Sequence, residues 1–151
     1  MFKVVFSIFL SFFVLLLPVQ AKPLADVDFY AQGSVYYLGV IHVYDASLYL
    51  PADAAEQDIL AVETSRCLKL DYKVDLDKAK FIQAATTILE RQYPQDQQAA
   101  LENVQTSINR LHEAYKDVKN GDRYWLCYQA STEETSLHLN DQSLLSLPDS
   151  A

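Results

Sequence analysis

A single carboxylate lies in the middle of the most apolar strand pattern of the chain. Strand-forming residues flank Asp45 from Val40 to Leu50, and Pro51 ends the run. An acidic side chain in such a strand is costly to bury unless hydrogen bonds satisfy it. A desolvated carboxylate with a raised pKa would be a candidate general base. The alternative, which we favour, is a structural role in which Asp45 accepts hydrogen bonds from a neighbouring loop and fixes the sheet.

Two cysteines are the next residues with possible chemistry. Cys67 and Cys127 each lie inside a short apolar strand pattern. In an oxidising compartment such a pair is compatible with a disulfide, but free cysteine is also common as a small buried hydrophobe, so both interpretations stay open. The sequence has no metal-ligand spacing, Gly-rich phosphate loop or nucleophile with its base. It therefore predicts no metal, no cofactor and no catalytic residue.

The N-terminus has the three parts of a secretory signal. Lys3 supplies the positive charge, Val4 to Leu17 form an apolar segment, and Val19 to Ala21 contain the small residues of a cleavage site. The apolar segment is short for a membrane-spanning helix, which needs ~20 residues. We expect a cleaved signal peptide over residues 1–21 and one domain over residues 22–151, with an uncleaved membrane anchor as the alternative. The predicted location is periplasmic or secreted.

The charge balance limits the classes of partner. The chain has 20 acidic and 12 basic side chains, and its formal net charge is −8. This acidity argues against nucleic acid and against an anionic membrane surface as partners. All 10 tyrosines follow the signal segment. Tyrosine has an apolar body and a polar tip, which suits the edge of a sheet core and the wall of a ligand cleft.

Periodicity predicts strands, then two helices, then strands. The first helix carries an apolar stripe from Phe81 to Leu89, is capped by Asp75 or Asp77 and ends at Pro94, and residues 51–65 before it form a loop that holds at most a short helix. The second helix carries a stripe from Leu101 to Val118 and stops at Asn120–Gly121. This order indicates an α+β fold with helices on one face of an antiparallel sheet. The strand patterns cover residues 28–39, with Gly33 as a turn or bulge point, and residues 40–50, 66–72, 123–130 and 136–139.

Several motifs together resemble the bacterial chalcone isomerase-like family. They are G-x-V-Y-Y from Gly33, V-Y-D-A-S-L-Y-L from Val43, L-x-L-x-Y from Leu68, L-H-E-A-Y from Leu111, N-G-D-R-Y-W-L-x-Y from Asn120 and L-x-L-N from Leu137. The resemblance implies an open-faced β-sandwich, in which a large antiparallel sheet is backed by helices with a cleft between them. Family members continue with a further helix and strand, so the resemblance leaves those last elements in question for this chain.

The resemblance also places four functional positions. The enzymatic branch of the family uses an Arg, a Thr, a Tyr and an Asn around its cleft, and these positions fall at Tyr36, at Tyr44 and near Asp77 and Ala84. None of the four residue types is kept, although cyclisation of a chalcone needs a cation to hold the nucleophilic oxygen as an anion. Other plant members bind fatty acids.

We therefore expect a non-catalytic binding or accessory protein that holds an apolar acyl or aromatic ligand in the cleft, with Tyr36 and Tyr44 at its mouth. An isomerase or intramolecular lyase on another substrate and a structural partner in the envelope are the alternatives. Without the family arginine, affinity should depend on chain length more than on head-group charge. The remaining arginines are expected to be solvated: Arg66, Arg91, Arg110 and Arg123.

Overall fold

Six strands form an antiparallel sheet whose strand order follows the chain. The computed structural model describes residues 22–92 and 98–150, so the predicted signal peptide and the predicted helix end at Pro94 lie outside it. Two helices lie between the third and fourth strands, which confirms the predicted α+β class and the order of its elements. The elements are β1 Asp28–Tyr37, β2 Ile41–Leu50, β3 Arg66–Tyr72, α1 Lys78–Gln92, α2 Gln98–Ala114, β4 Arg123–Gln129, β5 Glu134–Leu139 and β6 Gln142–Leu147.

The turn between β1 and β2 is formed around Leu38 and Gly39. Their φ angles are 51° and 72°, in the left-handed region that tight hairpin loops often need. Gly33 is instead paired with Ala46 inside the two strands, so the prediction of a turn or bulge at Gly33 is wrong. In the described chain β1 pairs only with β2, and all 10 of its residues are exposed.

The second helix ends earlier than its apolar stripe predicted. Helix α2 stops at Ala114. The last residue of the stripe, Val118, pairs with Leu76 in an isolated antiparallel bridge, where it is 1% exposed. A buried extended residue can continue a helical spacing by chance, so spacing alone did not show where the helix ends.

The start of α1 is held by a carboxylate from beyond α2. The backbone N–H of Lys78 donates to Asp117 at 2.7 Å. Asp75, one of the two predicted caps, accepts the backbone N–H of Asn120 at 2.9 Å instead. These two hydrogen bonds therefore tie the beginning of the helical segment to its end.

One face of the sheet is covered by the helices and is here called the helix face. Pairing across β2 to β6 aligns five leucines on this face. We call them the leucine row: Leu48, Leu68, Leu126, Leu137 and Leu145. Beside them, five rings form the aromatic cluster, with centroids 5.5 to 6.2 Å from a neighbouring ring. The cluster consists of Tyr44, Tyr72, Phe81, Tyr115 and Tyr124.

The opposite face, here called the open face, contains the two cysteines. Cys67 and Cys127 are direct cross-strand partners in β3 and β4, and the structure joins them by a disulfide with the Cα atoms 4.1 Å apart. Leu24 and Val27, from the segment before β1, pack with Trp125 and this disulfide in one buried cluster. The segment before β1 therefore covers this part of the open face.

The last strand had no counterpart in the sequence analysis. Residues 142–147 form β6 beside β5, after a turn in which Asn140 has a φ of 54°. The sequence pattern predicts no strand after Leu139, and the family resemblance leaves the closing elements in question. The structure places a strand in that position.

We expect removal of the disulfide to lower the free energy of unfolding by about 4 kcal/mol. The bond joins positions 60 residues apart, and closing a loop of that length removes entropy from the unfolded chain. Urea denaturation of the wild type and of a Cys67→Ala, Cys127→Ala double variant measures the difference. Unreduced, denatured protein should also resist thiol alkylation. Two alkylated thiols under those conditions would contradict the bond.

Candidate functional site

A cavity of about 300 Å³ lies on the helix face, beside the loop of residues 51–65. Its floor is the first half of the leucine row, and its wall comes from the loop and from the start of β3. Most of the lining is apolar. The lining residues are Leu48, Leu68, Leu126, Cys127, Tyr128 and Thr135 on the strands, Ile59 and Leu60 on the loop, and Arg66 at the start of β3.

The floor of the cavity is apolar surface that the fold leaves uncovered. Leu68 lies on β3, which has a paired strand on each side, yet it is 37% exposed. Leu137, in the same row on β5, is 2% exposed and packs in the core beneath the helices. Large aliphatic side chains on inner strands are usually buried. The helix face is therefore packed at Leu137 on β5 and open to a ligand at Leu68 on β3.

The wall of the cavity is fixed by two side chains that hold the loop. Arg66 Nη1 donates to the carbonyl oxygens of Ala61 and Thr64, both at 3.0 Å. The Tyr128 hydroxyl donates to the carbonyl of Val62 at 2.9 Å, and the Arg66 guanidinium carbon lies 4.5 Å from the Tyr128 ring centroid. The expectation that Arg66 is simply solvated is therefore wrong. The pairing of Arg66 with Tyr128 across β3 and β4 was not visible in the spacing of the sequence.

The aromatic cluster fills the other part of the space between sheet and helices. The Tyr124 hydroxyl accepts the N–H of Lys116 at 2.7 Å and donates to its carbonyl at 3.0 Å. Burial raises the pKa of Tyr72, Tyr115 and Tyr124 above the ordinary tyrosine value, so these phenols stay protonated. Tyr44, a predicted ligand-binding residue, is half-buried against Tyr72, with ring centroids 5.6 Å apart.

Tyr36, the other predicted ligand-binding residue, lies on the opposite face from Tyr44. Val35 pairs with Tyr44, but the next residue, Tyr36, pairs with His42, so Val43 is an extra residue on β2. Such a bulge brings His42 to the open face. The Tyr36 and His42 rings stack there with centroids 4.8 Å apart. The structure does not bring the two tyrosines together, and neither lines the cavity.

Asp45 is held by three donors on the open face. Its Oδ1 atom accepts from the Ser34 hydroxyl at 2.6 Å and lies 2.8 Å from His42 Nε2, while its Oδ2 atom lies 3.1 Å from Lys73 Nζ. Hydrogen bonds from Ser34, His42 and Lys73 lower the pKa of Asp45 to about 2. A carboxylate with that pKa is a weak base near neutral pH, which removes the support for a general base at this position. The geometry fits the structural role, with two of the three donors on β1 and β2 and not on a loop.

The described part of the chain contains neither a metal site nor a membrane-spanning helix. Residues 22–92 and 98–150 contain no group of three metal-ligating side chains placed to hold an ion. In the same ranges no helix has the length and apolar content to cross a bilayer. The cavity is therefore the best candidate site that the described residues offer.

We expect Asp45→Asn to lower the melting temperature at neutral pH, because the amide cannot keep the ion pair with Lys73. The folded pKa of about 2 lies below the ordinary 3.8. The stability that the carboxylate contributes is thus present above pH 3.8 and is lost as the pH falls toward about 2. The gap between wild type and variant should close over that range.

Thermal melts at a series of pH values measure this gap, with Asp53→Asn, an exposed loop substitution, as the matched control. A gap that stays constant with pH would contradict the assignment of the stabilising charge to Asp45.

Comparison with known proteins places the fold. A family model described as chalcone isomerase-like matches residues 34–151. The crystal structure of a fatty-acid binding protein of Arabidopsis thaliana is similar with a TM-score of 0.65 and 11% sequence identity, over 87% of this chain and 76% of that chain. Among curated proteins no sequence relative matches. The family match covers most of the chain, and the sheet with its two helices agrees with it, so the chain belongs to the chalcone isomerase-like family.

Proposed function

We propose that this chain is an exported, non-catalytic binding protein that holds an apolar acyl or aromatic ligand in the leucine-floored cavity. The observation that carries the proposal is the exposure of Leu68 on an inner strand of the sheet. Covering such surface with an apolar ligand is favourable by roughly 25 cal/mol per Å². Export rests on the signal pattern of residues 1–21.

The size and rigidity of the cavity support this proposal. A volume of about 300 Å³ lies at the lower end of the range of ligand pockets, which is ~300–1,000 Å³. The wall is held in place by the hydrogen bonds of Arg66 and Tyr128 to the loop, so a ligand need not order it. The structurally similar plant protein is described as fatty-acid binding, which favours an acyl ligand for this chain.

A catalytic function has less support. Asp45, the sharpest candidate base, is on the open face with a lowered pKa. The positions that the family resemblance gave to the catalytic Arg and Thr hold Tyr36 and Tyr44, which lie on opposite faces of the sheet. Neither tyrosine lines the cavity, and the described residues that do line it include no pair of acid and base.

We expect saturated acyl chains to bind with an affinity that rises about fourfold per methylene until the cavity is full, because each buried methylene contributes ~0.8 kcal/mol. Calorimetric titration with methyl esters of increasing length measures this. Leu68→Ser should weaken binding, since it places a hydroxyl in the floor. The matched control is Ile88→Ser on α1, where the isoleucine is 53% exposed and is outside the cavity.

The same titrations test where the ligand lies. The prediction that Tyr36 and Tyr44 bind the ligand is still open, so Tyr36→Ala and Tyr44→Ala are titrated beside Leu68→Ser. Loss of binding in the tyrosine variants alone would move the ligand to the aromatic cluster or to the open face. No binding by the wild type would overturn the proposed function.

We also expect no acceleration of chalcone cyclisation over buffer. The neutral Tyr36 cannot hold a phenolate as a cation would, and its ring is stacked on His42 away from the cavity. Tyr36→Arg should also be inactive, because residue 36 lies away from the cavity. The loss of chalcone absorbance and chiral analysis of the product measure the reaction. Stereoselective flavanone formation by either protein would contradict this prediction.

A further inference from the structure

Arg66 lies beside the apolar cavity, whereas the cations that form ion pairs in the described chain lie elsewhere. Its guanidinium stands at the wall of an apolar cavity, at 4.5 Å from the Tyr128 ring centroid. Arg66 and Leu68 are two residues apart on β3 and therefore share the helix face. The charged group thus lies directly beside the apolar floor.

The protein uses one of the three guanidinium nitrogens of Arg66, which supplies two of its N–H donors. A guanidinium has five N–H donors in a planar fork. Nη1 donates to the carbonyls of Ala61 and Thr64, which fixes the plane of the group. Within residues 22–92 and 98–150, neither Nε nor Nη2 has a hydrogen-bond acceptor, and no carboxylate lies within ion-pair distance of Arg66.

The local charge differs from the charge of the whole molecule. The chain has a net charge of −8, and Lys69, Lys73 and Arg123 on the open face are each paired with an aspartate. A partly buried cation without an anion carries a desolvation cost that an anionic ligand would offset. The edge of a guanidinium matches a carboxylate through two parallel hydrogen bonds.

We propose that Arg66 is the head-group anchor of the cavity, and that the ligand is a carboxylate with an apolar tail of medium length. This inference rests on the proposed function and specifies its ligand class. The carboxylate contacts Nε and Nη2 of Arg66, and the tail lies on Leu48, Leu68 and Leu126. Because the cavity is about 300 Å³, a medium-length chain fills it. Head-group charge therefore matters as well as chain length, contrary to the expectation from the sequence.

The test compares three head groups on one tail: octanoate, methyl octanoate and octyltrimethylammonium. Each is titrated by calorimetry at neutral pH against the wild-type protein, and the comparison needs no variant. We expect octanoate to bind about tenfold to a hundredfold more tightly than methyl octanoate, from hydrogen bonds to a charged donor. The trimethylammonium compound should bind more weakly than the ester, because it places a second cation beside Arg66.

Variants then assign the preference to Arg66. Arg66→Gln removes the charge but keeps an amide donor for the loop carbonyls, and it should reduce the ratio of acid to ester affinity to about one while the ester still binds. Arg91→Gln, at an exposed arginine near the end of α1, changes the net charge equally and should leave the ratio unchanged. Circular dichroism melts check that each variant is folded.

The outcomes separate this inference from the function on which it rests. Equal binding of acid and ester by the wild type would overturn the anchor and leave the apolar binding site in place. A folded Arg66→Gln variant that keeps the full preference would also overturn it. If none of the three compounds binds, the proposed function fails and the anchor fails with it.

Discussion

The pairing of β3 with β4 is the constraint on which the rest of the structure depends. All other neighbouring strands are joined by short connections or by a single loop, whereas β3 and β4 are separated by both helices. The disulfide joins Cys67 to Cys127 within this pair and fixes its register. A slip of one residue in this pairing would place Leu68 and Leu126 on opposite faces of the sheet. The leucine row, and with it the cavity floor, exists only in the observed register.

The same register also positions the wall of the cavity. Arg66 pairs with Tyr128 one step beyond the disulfide, so the guanidinium and the ring meet on the helix face and hold the loop together. Because successive side chains of a strand point to opposite faces, the two faces of the sheet carry different kinds of residue. Cysteines and ion pairs point to one side, and the leucine row and the aromatic cluster point to the other.

The elements of the fold other than β6 could be predicted because each has a local signal. Alternation in residues 66–72 and 123–130 gave β3 and β4, and the segregation of strands and helices gave the α+β class. The bulge at Val43 and the burial of Val118 in a bridge depend on pairing between distant segments, which spacing does not contain. The predicted end of α2 at Val118 and the predicted solvation of Arg66 were wrong for the same reason, since both residues are fixed by contacts with distant segments.

The site was harder to predict than the fold because it depends on which part of the sheet the helices leave uncovered. Alternation showed that Leu68 faces one side of the sheet, but it could not show that no helix covers it. Tyr36 and Tyr44 were predicted to bind the ligand because of their residue type and because of the family positions that they occupy. The aromatic cluster shows that tyrosines between sheet and helices can satisfy one another, through ring contacts and the backbone bonds of Tyr124, without a ligand. A cavity results from the way that distant segments pack, and the order of residues along the chain does not contain that information.

The edge strand β1 has a consequence for the behaviour of the protein in solution. From Phe29 to Ile41 the chain has no charged residue and no proline, although sheet edges are usually protected by such residues against pairing with another edge. Repulsion between whole molecules, from the net charge of −8, is then one barrier to edge-to-edge association. That barrier is colloidal in nature. It weakens with added salt and with protonation of the carboxylates, so the tendency of this edge to pair with a second copy depends on the acidity of distant surfaces.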